Sequence, residues 1–148
     1  MTLPDSPLLA AASCAILIQI AKFVSDWAIH KRLNFQRLVQ TGGMPSSHAG
    51  SVATLSTAVG TSAGFSSIEF QVACFFSIIV VYDAAGLRRA AGMQAQVLNR
   101  LVTRMQQEHR LILPGEHPLA ELLGHTPFEV LVGILFGVVF AWCWYVFV

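Results

Sequence analysis

Charged residues are scarce in this chain of 148 amino acids. Asp, Glu, Lys and Arg make up 11% of it, whereas soluble domains have about 25%. Hydrophobic residues make up 55%, and the mean hydropathy is +0.62. This balance excludes an ordinary soluble domain and predicts an integral membrane protein. A net charge of +1 without a basic stripe also argues against nucleic acid as a partner.

Residues that bind metals are also few. Cys14, Cys74 and Cys143 lie in separate apolar stretches, and their spacing fits no zinc-ligand pattern. No group of carboxylates suits Mg²⁺. We therefore expect reduced, buried thiols and neither a metal nor a cofactor. Because no basic residue precedes the first apolar stretch, we expect no cleaved signal peptide.

Apolar stretches of nearly the length that crosses a bilayer, about 20 residues, occur four times. They predict a single all-α membrane domain over residues 1–148, with spans at about 8–29, 47–65, 68–85 and 127–148. The second is rich in Ala, Ser, Thr and Gly, so we expect it to face other helices. Apolar residues at helical spacing predict an amphipathic helix over about 87–108, on the membrane surface or on the bundle.

Basic residues predict the orientation of these spans. All nine Lys and Arg are Lys22 or lie within residues 31–37 and 88–110. The positive-inside rule then places the connections 30–46 and 86–125 in the cytoplasm and both termini on the opposite side. We expect a bacterial inner membrane. Gly133 and Gly137 are spaced for close helix packing, and could form the face of a homodimer.

Two histidines stand at predicted helix starts. His48 follows Pro45, Ser46 and Ser47, where free N–H groups and hydroxyls can bind phosphate oxygens. The alternative is that Pro45 and Ser46 only begin a helix. His125 precedes Thr-Pro-Phe-Glu, a sequence typical of a capping box closed by the glutamate.

Several charged residues have both structural and functional interpretations. Glu129 either orients His125 or closes the capping box, and local spacing favours the box. Lys22 and Asp26 are four residues apart, so Lys22 either pairs with Asp26 or reaches a phosphate.

The arginines after the third span are open to the same choice. Arg88 and Arg89 are either topology determinants or bidentate phosphate ligands, and Asp83 could hold one of them in place. The predicted topology brings both arginines and both histidines to one membrane face, an arrangement suited to metal-free phosphoryl transfer.

Four motifs together resemble the divergent type 2 phosphatidic acid phosphatase family, which is also described as acid phosphatase/vanadium-dependent haloperoxidase-related. They occur in order along nearly the whole chain: GGMPSSHA at 42–49, YDAAGLRRAAGMQA at 82–95, Leu-Asn at 98–99 and LGHTPFEV at 123–130. The resemblance implies a reduced lipid-phosphatase-like bundle. It also implies that His125 is the nucleophile and His48 the proton donor, with Glu129 orienting His125 and Lys22 binding phosphate.

The chain departs from the wider superfamily in three respects. The Arg-Pro of the superfamily's first motif is absent after Lys22, and Arg37 is the nearest arginine downstream. The arginine that usually precedes the nucleophile is absent before His125, so Arg88 or Arg89 would have to replace it. The superfamily usually has about six core helices, so this bundle is either reduced or completed by a homodimer.

These observations lead us to expect a metal-independent phosphatase. It would act on a phospholipid phosphate monoester of the phosphatidylglycerol phosphate or phosphatidic acid class at the cytoplasmic leaflet. One alternative is a non-catalytic membrane protein that binds phosphate-bearing lipid or a partner. A weaker alternative is a small dimeric transporter that uses Lys22 and Asp26.

Overall fold

The computed structural model describes residues 6–35, 42–109, 119 and 124–147, with Arg88, Glu108 and His109 described by their backbone alone. In these ranges the chain forms helices and no strand, which confirms the predicted all-α class. The helices are α1 Pro7–His30, α2 Ser47–Ala63, α3 Ile68–Ala85, α4 Leu87–His109 and α5 Pro127–Phe147. That they form a single membrane domain stays a prediction.

Helix α2 lies at the centre and packs against α1, α3 and α5. Its buried residues are small, among them Ala49, Gly50 and Ala53, so neighbouring backbones can approach closely. The Thr54 hydroxyl lies 2.9 Å from the carbonyl oxygen of Gly50 and 3.0 Å from that of Gly137. This hydroxyl therefore bridges α2 and α5 inside the apolar bundle.

The two glycines of α5 allow the backbone of α5 to approach that of α2 closely. A Cβ at Gly133 would come within 2.6 Å of the Ser46 carbonyl oxygen, and one at Gly137 would overlap the Gly50 carbonyl oxygen. The predicted close packing is therefore with α2 of the same chain. Since these glycines are buried there, they are not a dimer face, and a homodimer stays a prediction.

Three helical segments are long and apolar enough to cross a membrane: Pro7–His30, a stretch within Ile68–Gln107, and Pro127–Phe147. Large apolar side chains such as Ile16, Phe76 and Leu135 point outward, as expected for helices in contact with lipid. Helix α2 is not among the three, because it has 17 residues and its side chains are small and partly polar. The predicted count of four spans is thus not confirmed.

Helix α4 is amphipathic and follows α3 after Gly86 alone. Gly92 and Ala95 are buried, whereas Leu98 and Leu101 are about half exposed. Asn99 holds the backbone of Leu119 through two hydrogen bonds: its amide donates to the Leu119 carbonyl at 2.9 Å and accepts from the Leu119 N–H at 3.0 Å.

Candidate functional site

Two main-chain hydrogen bonds bring three helix ends together. The N–H of His125 donates to the carbonyl oxygen of Ala84 at 3.0 Å, so the turn before α5 lies against the end of α3. The N–H of Ser46 donates to the carbonyl oxygen of Glu129 at 3.1 Å, which joins the starts of α2 and α5. These bonds fix the relative positions of the two histidine-bearing helix starts.

His48 and His125 face each other at this junction. Their ring centroids are 6.3 Å apart and the rings are inclined by 61°. His48 lies in the first turn of α2 and is half-buried, whereas His125 is 2% exposed. Reacting atoms approach to about 3–3.5 Å, so both rings are within reach of one phosphate group between them.

Glu129 closes the predicted capping box and also contacts His125. Its Oε2 accepts a hydrogen bond from the Thr126 N–H at 2.9 Å, and its own N–H donates to the Thr126 hydroxyl at 3.3 Å. The same Oε2 lies 3.4 Å from Nδ1 of His125. That distance is long for a hydrogen bond, although such contacts often shorten when substrate binds. Capping is thus the stronger interaction here, and the orienting contact accompanies it.

The environment of His125 favours its neutral form. Burial lowers the pKa of His125 below its ordinary 6.5, and the positive charges of Lys22 and, to a lesser degree, His48 lower it further. Glu129 opposes this shift because its carboxylate favours the imidazolium. Nε2 of His125 has no hydrogen-bond partner within the described part of the chain. A buried neutral imidazole with such a nitrogen can act as a nucleophile.

Lys22 brings a positive charge to the histidine pair. It is 7% exposed, and its ammonium donates to the carbonyl oxygen of Gly42 at 3.2 Å. Helix α1 is thereby tied to the segment that leads into α2. In that segment Gly43 has φ +87°, a conformation that favours glycine. The charge of Lys22 lowers the pKa of His125, so Lys22 is near enough to act on an anion bound at that ring.

The two serines before His48 differ in their surroundings. Ser46 is fully buried, and its hydroxyl caps α2 by accepting from the Ala49 N–H at 3.3 Å. Ser47 is also buried, but it lines a cavity together with His48. Binding of phosphate by either serine stays a prediction.

The remaining predicted site residues lie less centrally. Arg89 is exposed on α4, and the side chain of Arg88 lies outside the described residues. Asp83 is half-buried next to Ala84, whose carbonyl oxygen accepts from His125. The carboxylate of Asp26 lies 3.3 Å from Nδ1 of His30. The structure therefore brings together His48, His125, Glu129 and Lys22.

The sequence analysis did not identify a cavity of about 480 Å³ beside His48. Ala15 and Gln19 line it from α1, and Ser51 lines it from α2. Ala15 and Gln19 are four residues apart in α1, and Ser47 and Ser51 are four residues apart in α2. That spacing places them on common helix faces and could have indicated the cavity.

Groups of three or more His, Cys, Asp or Glu that could hold a metal ion do not occur in residues 6–35, 42–109, 119 and 124–147. The donors present at the histidine pair are two imidazoles and the Glu129 carboxylate, of which Glu129 is already used by the helix cap. Protonated imidazoles and the Lys22 ammonium can donate hydrogen bonds to an anion.

Apolar helices around a buried histidine pair define an all-helical integral membrane protein with a polar site at one end of its bundle. The chain belongs to the Divergent PAP2 family, whose sequence profile matches residues 3–140. This confirms the resemblance noted from the four motifs. The bacterial inner membrane, the cytoplasmic active face and the positions of the termini stay predictions.

A curated relative supports the same assignment. The chain is similar to the uncharacterized membrane protein YuiD of Bacillus subtilis (strain 168), with 38% identity over 144 residues. The similarity covers 92% of this chain and 91% of that protein. No solved structure matches the chain significantly.

Proposed function

We propose that this protein is a membrane phosphatase that hydrolyses a lipid phosphate monoester of the phosphatidylglycerol phosphate or phosphatidic acid class. The observation that carries the proposal is the pair of histidine rings, 6.3 Å apart, with a carboxylate 3.4 Å from Nδ1 of the more buried ring. Membership of the Divergent PAP2 family supports it.

In the first step Nε2 of His125 attacks phosphorus. A nitrogen–phosphorus bond forms while the bond from phosphorus to the alcohol oxygen breaks, and protonated His48 gives its proton to that leaving oxygen. Glu129 accepts a hydrogen bond from the Nδ1–H of His125 and stabilises the positive charge that develops on the ring. The products are a phosphohistidine at His125, a neutral His48 and the free alcohol.

In the second step a water molecule hydrolyses the phosphohistidine. Neutral His48 takes a proton from the water as its oxygen attacks phosphorus, and the nitrogen–phosphorus bond breaks. Inorganic phosphate leaves, and His48 is again protonated for the next cycle. His48 therefore acts as an acid in the first step and as a base in the second, while His125 forms and then loses the bond to phosphorus.

Stabilisation of the phosphoryl charge would come from groups around the pair. Lys22 is buried beside His125, and α2 begins one residue before His48. Donors and charges that are already held in place stabilise a developing negative charge most strongly where water is excluded. Arg88 or Arg89 would supply a further cation if α4 brings one to the bound phosphate.

The test is release of inorganic phosphate by the purified protein in detergent, without divalent metal, from a panel of lipid phosphates. His125→Ala should lower the rate by at least about a hundredfold, because it removes the nucleophile. His30→Ala is the matched control, since His30 is an exposed histidine at the end of α1. Equal rates in wild type and His125→Ala would overturn the proposal.

A second candidate, binding of phosphate-bearing lipid without catalysis, is favoured by one observation. Arg89, a candidate to replace the missing motif arginine, is exposed on α4. Vanadate, which mimics pentacoordinate phosphorus, separates the two candidates. A phosphatase should be inhibited by it, whereas a binding protein should retain lipid phosphate and release no inorganic phosphate.

A further inference from the structure

The cavity beside His48 lies between α1 and α2 and measures about 480 Å³. This volume is within the range of small-molecule sites, about 300–1,000 Å³. His48 itself forms part of the wall, so the cavity reaches one member of the histidine pair. It is therefore a space into which part of a substrate could extend from the reacting phosphorus.

The side chains that line the cavity differ between its two ends. α1 runs towards the Lys22–Gly42 contact and α2 runs away from it, so the two helices are antiparallel here. Gln19 and His48 therefore lie near the phosphate end. Ala15 and Ser51 lie about one helical turn, ~5–6 Å, deeper in the bundle. Polar groups thus line the outer end, and smaller side chains line the inner end.

The lipid-facing side of the cavity is apolar. Ile16 and Ile20 line it from α1, and they are 61% and 50% exposed. Large apolar side chains on the outside of a membrane helix are in contact with acyl chains. A molecule in the cavity can therefore continue directly into the surrounding lipid.

We propose that this cavity binds the alcohol half of the substrate: the glycerol and the first acyl methylenes of one lipid phosphate. The proposal rests on the proposed function. His48 must lie about 2.6–3.2 Å from the leaving oxygen to protonate it. The group attached to that oxygen therefore begins at the His48 ring, and the cavity is the space that opens there.

Two side chains give this subsite its chemical selectivity. The amide of Gln19 lines the cavity, and the hydroxyl of Ser51, which donates to the His48 carbonyl oxygen at 3.1 Å, can still accept a hydrogen bond from a lipid hydroxyl. The remaining wall, formed by Ala15 and the two isoleucines, suits methylene groups. A bilayer lipid fits both parts, whereas a small soluble phosphate monoester would occupy the phosphate end alone.

Filling the inner end tests the subsite. Ala15→Phe and Ser51→Phe each place a ring in the cavity a turn away from His48, and the use of both helices guards against a folding defect in one variant. Ala21→Phe is the control, because Ala21 is exposed on another face of α1. The measured quantity is the ratio of phosphate release from diacylglycerol phosphate to that from phenyl phosphate.

The two filled variants should lower this ratio by at least about tenfold, since even one methylene in an apolar pocket changes kcat/KM by about 10- to 200-fold, and Ala21→Phe should leave it unchanged. Gln19→Leu should lower it less, because only a hydrogen bond is lost. An unchanged ratio in both filled variants would overturn the subsite. So would an equal fall in Ala21→Phe.

Photolabelling separates this proposal from the phosphatase activity. A diacylglycerol phosphate with a diazirine near the ester should label peptides of α1 and α2, and labelling should fall in the two filled variants. Labelling without phosphate release would contradict the proposed function and retain the subsite. Phosphate release with labelling confined to other helices would contradict the subsite and retain the function.

Discussion

Glu129→Gln separates the two interactions that Glu129 makes. Gln also serves at the third position of a capping box, so the start of α5 should persist. The charge 3.4 Å from Nδ1 of His125 is lost. The substitution therefore tests whether the carboxylate supports catalysis beyond its part in folding.

The size of the effect follows from Coulomb's law. Unit charges at 3.4 Å interact by about 1 kcal/mol in water and about 5 kcal/mol at the effective dielectric constant of a protein surface. The Glu129 side chain is 24% exposed, so solvent screening places the value between these limits. We expect a loss of about 2–4 kcal/mol in transition-state stabilisation, which lowers the rate by about 30- to 1,000-fold.

The assay combines phosphate release with thermal unfolding of the same preparation. Glu129→Gln should lose activity with little change in melting temperature. Glu129→Ala should lose activity and also about 1 kcal/mol of stability, because the Thr126 N–H loses its acceptor in the capping box. Glu69→Gln is the matched control, since Glu69 is an exposed glutamate in the first turn of α3. A rate in Glu129→Gln equal to that of Glu69→Gln would refute the orienting role.

Three further predictions concern stability. Gly137→Ala should lower the free energy of unfolding by about 1–3 kcal/mol, because its Cβ would overlap the Gly50 carbonyl oxygen; an unchanged melting temperature would contradict this. Asn99→Leu should remove both hydrogen bonds to Leu119, about 1–3 kcal/mol together, and hydrogen exchange at the Leu119 amide should accelerate. The lowered pKa of His125 stabilises the folded state fully above about 6.5 and progressively less as the pH falls below it, so wild type should lose more stability between pH 7 and 5 than His125→Gln.

Local sequence signals predicted the elements that carry the site. Pro127 and the Thr126–Glu129 spacing predicted the start of α5, and the structure shows the capping box that they imply. The alternation of apolar stretches and basic connections placed His48 and His125 at one end of the bundle, where their rings meet. These predictions succeeded because capping and hydrophobic length are local properties.

Other features depend on packing, which spacing alone does not specify. Gly133 and Gly137 predicted a close helix contact, but only the folded chain shows that the partner is α2. The main-chain bond from His125 to Ala84 has no sequence signal, because every residue except proline carries the same donor. The position of Arg89 after α3 left open whether it is a topology determinant or a phosphate ligand, because its surroundings depend on how α4 packs.

The bond from the Ser46 N–H to the Glu129 carbonyl has a consequence for how this site tolerates mutation. Both atoms belong to the backbone, so at Ser46 only proline would delete the donor, and no substitution at Glu129 would delete the acceptor. The link between the starts of α2 and α5, and with it the separation of the His48 and His125 rings, therefore does not depend on the side chains of Ser46 and Glu129. Substitution of lipid-facing side chains leaves both atoms of this bond in place.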